Sequence, residues 1–216
     1  SEKRELSSEP PARFILSSLR AAGRGFRRED VMTLAKTGLT GLGERDLDLF
    51  EEYCGVWNIT GKTFTEPVWN RNPDGYTTRL TKRGKEILES ANRVRATLIP
   101  PLEKLGTGLR AAGTLADKCA VLYDYLLEAG LTDRLLSLAE TELSLGEIRE
   151  AGDTVRLFDA VVGALTRLAD VLPDTEMNTE EFTCAISLLL SASDIGAVPE
   201  IQDCVIIGAA DTLRVE

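Results

Sequence analysis

Histidine does not occur anywhere in the 216 residues. Its absence removes the commonest general base and the commonest metal ligand. Ser–His and Cys–His nucleophile pairs and His-ligated zinc sites are excluded with it. Cysteine is sparse: Cys54, Cys119, Cys184 and Cys204 stand far apart with no CxxC spacing. Neither a disulfide framework nor a zinc ribbon is indicated. Each thiol has apolar neighbours and reads as a small buried group. No apolar run approaches the roughly 18 residues of a membrane helix. No N-terminal apolar stretch resembles a signal peptide, so the cytosol is the expected compartment. The chain also lacks a GxxxxGK[ST] phosphate loop, a strand-to-helix GxGxxG and an EF-hand loop.

What is present suits a folded protein. Hydrophobic residues make up 43% and charged residues 28%, enough for a sizeable core rather than disorder. The net charge of −10 argues against nucleic acid when taken as a single number. Its distribution is uneven. Residues 62–110 carry ten Lys/Arg against five Asp/Glu, whereas residues 111–216 carry six against twenty. A basic middle and an acidic second half suggest one face for an anionic partner and another for solvent or protein.

Helical periodicity dominates. Ser8 before Pro10-Pro11 reads as a helix entry, with Phe14, Ile15, Leu19 and Ala22 inward and Gly23 and Gly25 as the stop. A short helix is expected from Glu29 to Lys36, and a third from Glu44 carrying Leu47, Phe50, Cys54 and Trp57 at helical spacing. Between them, Gly38, Gly41 and Gly43 mark a tight turn. Residues 58–79 read as a long connection pinned by Trp69 and Tyr76. From Leu80 the pattern is helical, with Pro100-Pro101 expected to end one helix and start another. The clearest helix runs from Ile148 to Leu172, its apolar seam drawn by Ile148, Ala151, Val155, Phe158, Val162, Leu165, Ala169 and Leu172, as expected of a bundle-core helix. Asn178 and Glu181 form a capping box that leads Phe182, Ile186 and Leu189 inward. Cys204-Val205-Ile206-Ile207-Gly208 breaks the pattern and reads as a buried strand. A single strand cannot form a sheet, so its partners are expected in sequence beyond this chain.

No catalytic residue and no metal site is expected. Paired carboxylates such as Glu51-Glu52, Glu140 with Glu142, and Glu180-Glu181 read as solvated helix faces. Two features carry binding chemistry. Arg79, Lys82, Arg83, Lys85, Arg93 and Arg95 are set outward by the buried positions Ile87, Ala91 and Val94. They form either a solvated face or a sequence-independent, salt-sensitive phosphate surface. Gly41-Leu42-Gly43 opens a helix whose free N–H groups either bind a phosphate or simply close a turn.

Several segments, in order, resemble the AddB subunits of bacterial AddAB helicase–nucleases. These are Phe26 to Val31, Lys36-Thr37-Gly38-Leu39, Asp48 to Tyr53, and Ile59-Thr60-Gly61-Lys62 with Trp69. Arg93 to Leu102, Leu143 to Ala151 and Pro199 to Arg214 follow. Departures include Glu51-Glu52-Tyr53 where "ENY" is usual and Phe64 in place of a tryptophan. The resemblance implies a mainly α, irregular helical bundle like the 2B accessory domain of UvrD-like superfamily 1 helicases. Residues 40–198 would form that insertion, between pieces of a RecA-like domain at 1–39 and 199–216. Gly41-Leu42-Gly43-Glu44-Arg45 is similar to the glycine turn that leads into 2B and touches duplex phosphates. With Arg79, Lys82, Arg83 and Lys85, Gly41 and Gly43 make up the expected DNA-binding set. The family further implies a fragment without catalytic residues, drawn from a larger polypeptide that processes double-strand breaks. That parent would use ATP, Mg and an iron–sulfur cluster held outside this chain, pair with an AddA-type helicase subunit, and work on duplex or single-stranded DNA in the bacterial cytoplasm. The alternative is a helical protein–protein interaction or scaffold module without DNA contact.

Overall fold

A computed structural model describes residues 6–76 and 79–192. Eight α-helices and no sheet occur among them, so the expected mainly α class is observed. The expected strand at Cys204–Gly208 and the motif from Pro199 to Arg214 lie outside the described residues. No helix among the described residues is long and apolar enough to cross a membrane.

A short 3-10 turn, Leu6–Ser8, precedes α1, Pro10–Gly23. The cap position belongs to Glu9 rather than Ser8. Pro10 and Pro11 occupy the first turn, where a missing N–H costs nothing. Phe14, Ile15, Leu19 and Ala22 are buried as expected. Helix α2, Arg28–Ala35, buries Val31, Leu34 and Ala35. Helix α3, Glu44–Val56, buries Phe50, Tyr53 and Cys54.

Helix α4, Lys82–Ala111, is one continuous helix of 30 residues with Pro100 and Pro101 inside it. The expected break at the prolines is therefore corrected. Two prolines remove the N–H groups that Ala96 and Thr97 would accept from, but both of those residues are on the solvent side, where water can satisfy their carbonyls. Packing of Leu98, Ile99, Leu102, Leu105 and Leu109 then carries the helix through the site that propensity alone would interrupt. Thr81 caps its start, accepting from Gly84 N at 2.9 Å. Its far end is closed by Lys118, a lysine only 1% exposed that donates to the carbonyls of Leu109 and Ala112.

Helices α5, Leu115–Glu128, and α6, Leu131–Ser144, follow, separated by Gly130 in the left-handed region at φ 67°. Helix α7, Ile148–Val171, packs back on α6, and Thr154 donates to Glu142 at 3.0 Å between them. Its buried side meets the expected seam only in part. Leu165 is buried and Phe158, Val162 and Ala169 are half-buried, but Val155 and Leu172 are exposed, and Thr154, Ala160, Val161 and Ala164 are buried beside the seam. Ala160, Val161 and Ala164 make a second apolar band, and periodicity alone could not choose between it and the seam. Helix α8, Thr179–Ala192, opens on the expected capping box: Asn178 Oδ1 accepts from Glu180 N and Glu181 N at 2.9 Å each, and Asn178 N donates to Glu181 at 2.8 Å. Phe182, Ile186 and Leu190 are its buried residues; Leu189 is half-buried. The α7–α8 connection is tied to the start of α5, where Leu115 N donates to Thr175 O at 2.9 Å beside an isolated bridge between Thr114 and Glu176.

One continuous core unites these elements, from Ala12 to Leu190. Helix α1 lies against α2, α4 and α8. The connection over residues 58–80 is fastened by Trp69, whose ring stacks on Tyr53 at 5.2 Å and Phe50 at 5.9 Å. Its indole N–H donates to Thr63 O and its backbone N–H to Asn92, both at 2.9 Å. Tyr76 does not serve as the expected second pin, because it is 97% exposed. Asn92 on α4 takes that role, donating back to Trp69 O at 2.9 Å.

Candidate nucleic-acid interface

Helices α3 and α4 run antiparallel. Asp46, near the start of α3, meets Ser90 and Arg93, and Glu52, near its end, meets Arg83. This pairing decides where the expected binding residues lie. Arg79, Lys82, Arg83 and Lys85 are all exposed and gather at the end of the pair where α3 stops and α4 starts. Gly41 and Gly43 lie at the opposite end of α3, a helix of 13 residues and so about 20 Å long. The six residues form two groups rather than one site.

At the basic end, Arg83 donates to both oxygens of Glu52 at 3.0 and 3.1 Å, and Lys85 lies 3.7 Å from Glu89. Lys82 has no ion pair among the described residues. These exposed pairs are worth little in water and exchange readily for a phosphate partner. Arg93 is likewise exposed and joined to Asp46. Arg95 is not outward: at 9% exposure it donates to Pro67 O and lies over the Trp69 ring, 5.9 Å from its centre. The outward reading of the basic segment is corrected for this residue, which fastens the loop instead.

The glycine turn closes against the chain's own α6. Gly41 has φ 71°, and a Cβ there would fall 2.9 Å from Arg134 Nε. Arg134 Nη1 donates to Leu39 O at 2.6 Å. Gly43 is open and caps α3 with φ −71°. Glu44 and Asp46 occupy the first turn of α3, where their charge opposes a bound phosphate.

Beside the basic end stands an aromatic group. Tyr76 meets Trp57 edge-on at 5.6 Å and 83°. The Arg71 guanidinium lies over the Trp57 ring at 5.6 Å. The loop carrying Tyr76 is closed at its base by Asp74, which accepts from Thr81 N at 3.1 Å and Thr81 Oγ1 at 2.8 Å.

A second group escaped the sequence reading. Arg20, Arg24 and Arg27 border a groove of about 610 Å³ between α1 and α8, with Glu180 and Cys184 on its far wall. The only signal was the four-residue spacing of Arg20 and Arg24 on the polar side of α1. Burial raises the ionisation of Asp30 from its ordinary value, against the pull of Arg24. The thiols divide: Cys54 and Cys119 are buried, whereas Cys184 is exposed, which corrects the expectation of uniform burial. Cys204 lies outside the described residues. Burial pushes the Cys54 thiol up to about 12 and Cys119 to about 11, far from the ionised form that a nucleophile needs.

No protein-family model matches the chain. Curated relatives do. The AddB protein of Caldanaerobacter subterraneus subsp. tengcongensis, an ATP-dependent helicase/deoxyribonuclease subunit, is 27% identical over 214 residues, covering 98% of this chain and 18% of the relative. The protein of the same name from Ruminiclostridium cellulolyticum is 26% identical over 218 residues, covering 98% and 19%. The one from Acetivibrio thermocellus is 27% identical over 214 residues, again covering 98% and 19%. The chain thus spans about a fifth of the length of these relatives. Along nearly its whole length, this chain is similar to one segment of AddB, a component of ATP-dependent helicase/deoxyribonucleases.

Proposed function

We propose that the chain is a non-catalytic, 2B-type accessory region of an AddB-type helicase/deoxyribonuclease protein that processes double-strand DNA ends in recombinational repair. It contacts DNA phosphates without reading sequence. The observation that carries this is the grouping of Arg79, Lys82, Arg83 and Lys85, all exposed, at one end of the α3–α4 pair in an otherwise acidic molecule. Contacts of this kind position a duplex or a single strand and weaken steeply with salt. The glycine turn contributes less, because Arg134 already covers Gly41 and the first turn of α3 is acidic.

Support for a region without its own chemistry comes from the missing histidine and from the raised thiols of Cys54 and Cys119. The ATP and Mg chemistry and the iron–sulfur cluster belong, in this reading, to other parts of the parent polypeptide. That parent pairs with an AddA-type helicase subunit in the bacterial cytoplasm.

Fluorescence anisotropy with a labelled duplex tests the proposal. Binding is expected at low salt, falling linearly in log–log form as salt rises. Reversing Lys82, Arg83 and Lys85 to Glu is expected to abolish it. Undetectable binding at low salt, or no change on reversal, removes the DNA contact.

A second reading is favoured by a specific observation. Leu136, Leu138, Leu143 and Leu145 are exposed on and just after α6, with Val155, Val171 and Leu172 exposed on α7 and its end. Leu136 and Leu143, two turns apart, share one side of α6, and an exposed apolar pair there fits a contact for a partner protein. Both readings can hold in one complex, one at each end of the molecule. Co-purification with an AddA-type subunit, lost on Leu136→Asp with Leu143→Asp, would establish the second.

A further inference from the structure

We propose that Tyr76, Trp57 and Arg71 form a base-stacking platform for single-stranded DNA, next to the phosphate contacts at the start of α4. The inference rests on the DNA-contact reading and names the strand form that the site takes.

Three observations carry it. First, Tyr76 is 97% exposed, while Phe14, Phe50, Tyr53, Phe64, Trp69, Tyr125 and Phe182 are all buried. A tyrosine presented bare to water on a turn offers both ring faces to a planar ligand. Second, the tyrosine is not adrift. Gly75 at φ 86° and the Asp74–Thr81 bonds lie at the base of its loop, and its ring stands edge-on to Trp57 at 5.6 Å. Arg71 stacks on Trp57 in turn, so a guanidinium plane and two aromatic rings stand together. Third, Arg79, Lys82 and Arg83 follow within seven residues. The carboxylates near them are engaged: Asp74 with Thr81 and Glu52 with Arg83, while Glu66 stands 4.0 Å from Arg71. Aromatic faces beside cations are the chemistry by which proteins hold unpaired bases, whatever the sequence. A base inside a duplex offers no face to stack on, so the platform selects single strands.

The chain has two tryptophans. Trp69 is buried and Trp57 is half-buried, so quenching on binding reports Trp57. The experiment titrates the whole chain with a thymidine dodecamer, with an abasic strand of the same length and charge, and with a duplex. The thymidine strand is expected to quench the emission and bind about tenfold more tightly than the abasic strand. Tyr76→Ala, at an exposed position, is expected to erase that difference. Equal affinity for the thymidine and abasic strands, or no effect of Tyr76→Ala, overturns the platform and leaves the phosphate contact standing. Absence of binding to all three at low salt overturns the DNA-contact reading itself, and the platform with it.

Discussion

The Asp46 carboxylate on α3 is held from two sides by α4: Arg93 Nη2 donates to it at 2.8 Å and Ser90 Oγ donates at 2.8 Å. Arg93 and then Ser90 hold its ionisation below the ordinary aspartate value of 3.8. A depressed carboxylate stabilises the fold at all pH above its unfolded value and loses that contribution as pH falls through the folded one. Asp46→Asn is therefore expected to lower the urea midpoint at pH 7, with the gap to wild type closing only below 3.8. Ser90→Ala, at a buried position, is expected to cost about 1 kcal/mol at pH 7.

The two glycines that bracket Leu42 should respond oppositely. Gly41→Ala forces a side chain into the left-handed region and against Arg134, and is expected to destabilise by about 1–2 kcal/mol. Gly43→Ser keeps an allowed backbone, meets open space and adds a capping oxygen for α3. A gain of a few tenths of a kcal/mol is expected. Thermal melts of the two variants side by side check the contrast.

Pro100 and Pro101 sit inside a helix held together by its packing. Replacing either with alanine restores a backbone hydrogen bond on the solvent side and relieves the helix. The expected gain is about 2 kcal/mol for each, after the greater freedom of the unfolded chain is subtracted. Urea unfolding measures it, and a loss of stability would show that the prolines shape a bend on which the packing depends.

Lys118 closes the end of α4 from inside the protein. Lys118→Met keeps the apolar stem and removes the donor, leaving the carbonyls of Leu109 and Ala112 without it. A loss of about 2 kcal/mol is expected. Amide exchange should quicken first in the last turn of α4 and the first turn of α5, ahead of the rest of the core.

Local chemistry was readable where a few neighbouring residues decide it. The Asn178–Glu181 capping box and the inward stripe of α1 each follow from residue types a few positions apart, and each is found. The failures depend on distant partners. Nothing near Arg95 in the chain announces that Pro67 O and the Trp69 ring wait for it 28 and 26 positions earlier. Arg134 covers Gly41 from 93 residues away, so a glycine turn that looked free is occupied. The basic residues of α4 were visible as charges, but Glu52, which engages Arg83, comes from α3 and becomes a neighbour only once the helices pair. On α7, a second band of apolar residues, Ala160, Val161 and Ala164, lies beside the seam, and its neighbours cover that band. The platform of Tyr76 and Trp57 was hidden for the same reason: an aromatic in a loop is read as an anchor until its exposure is known.

Helix α4, at 30 residues, spans about 45 Å, with the cations at one tip and Lys118 clamping the other to the acidic half. It acts as a strut. The rod sets the distance between its two tips, so whatever is joined to one tip is carried at a fixed spacing from the other.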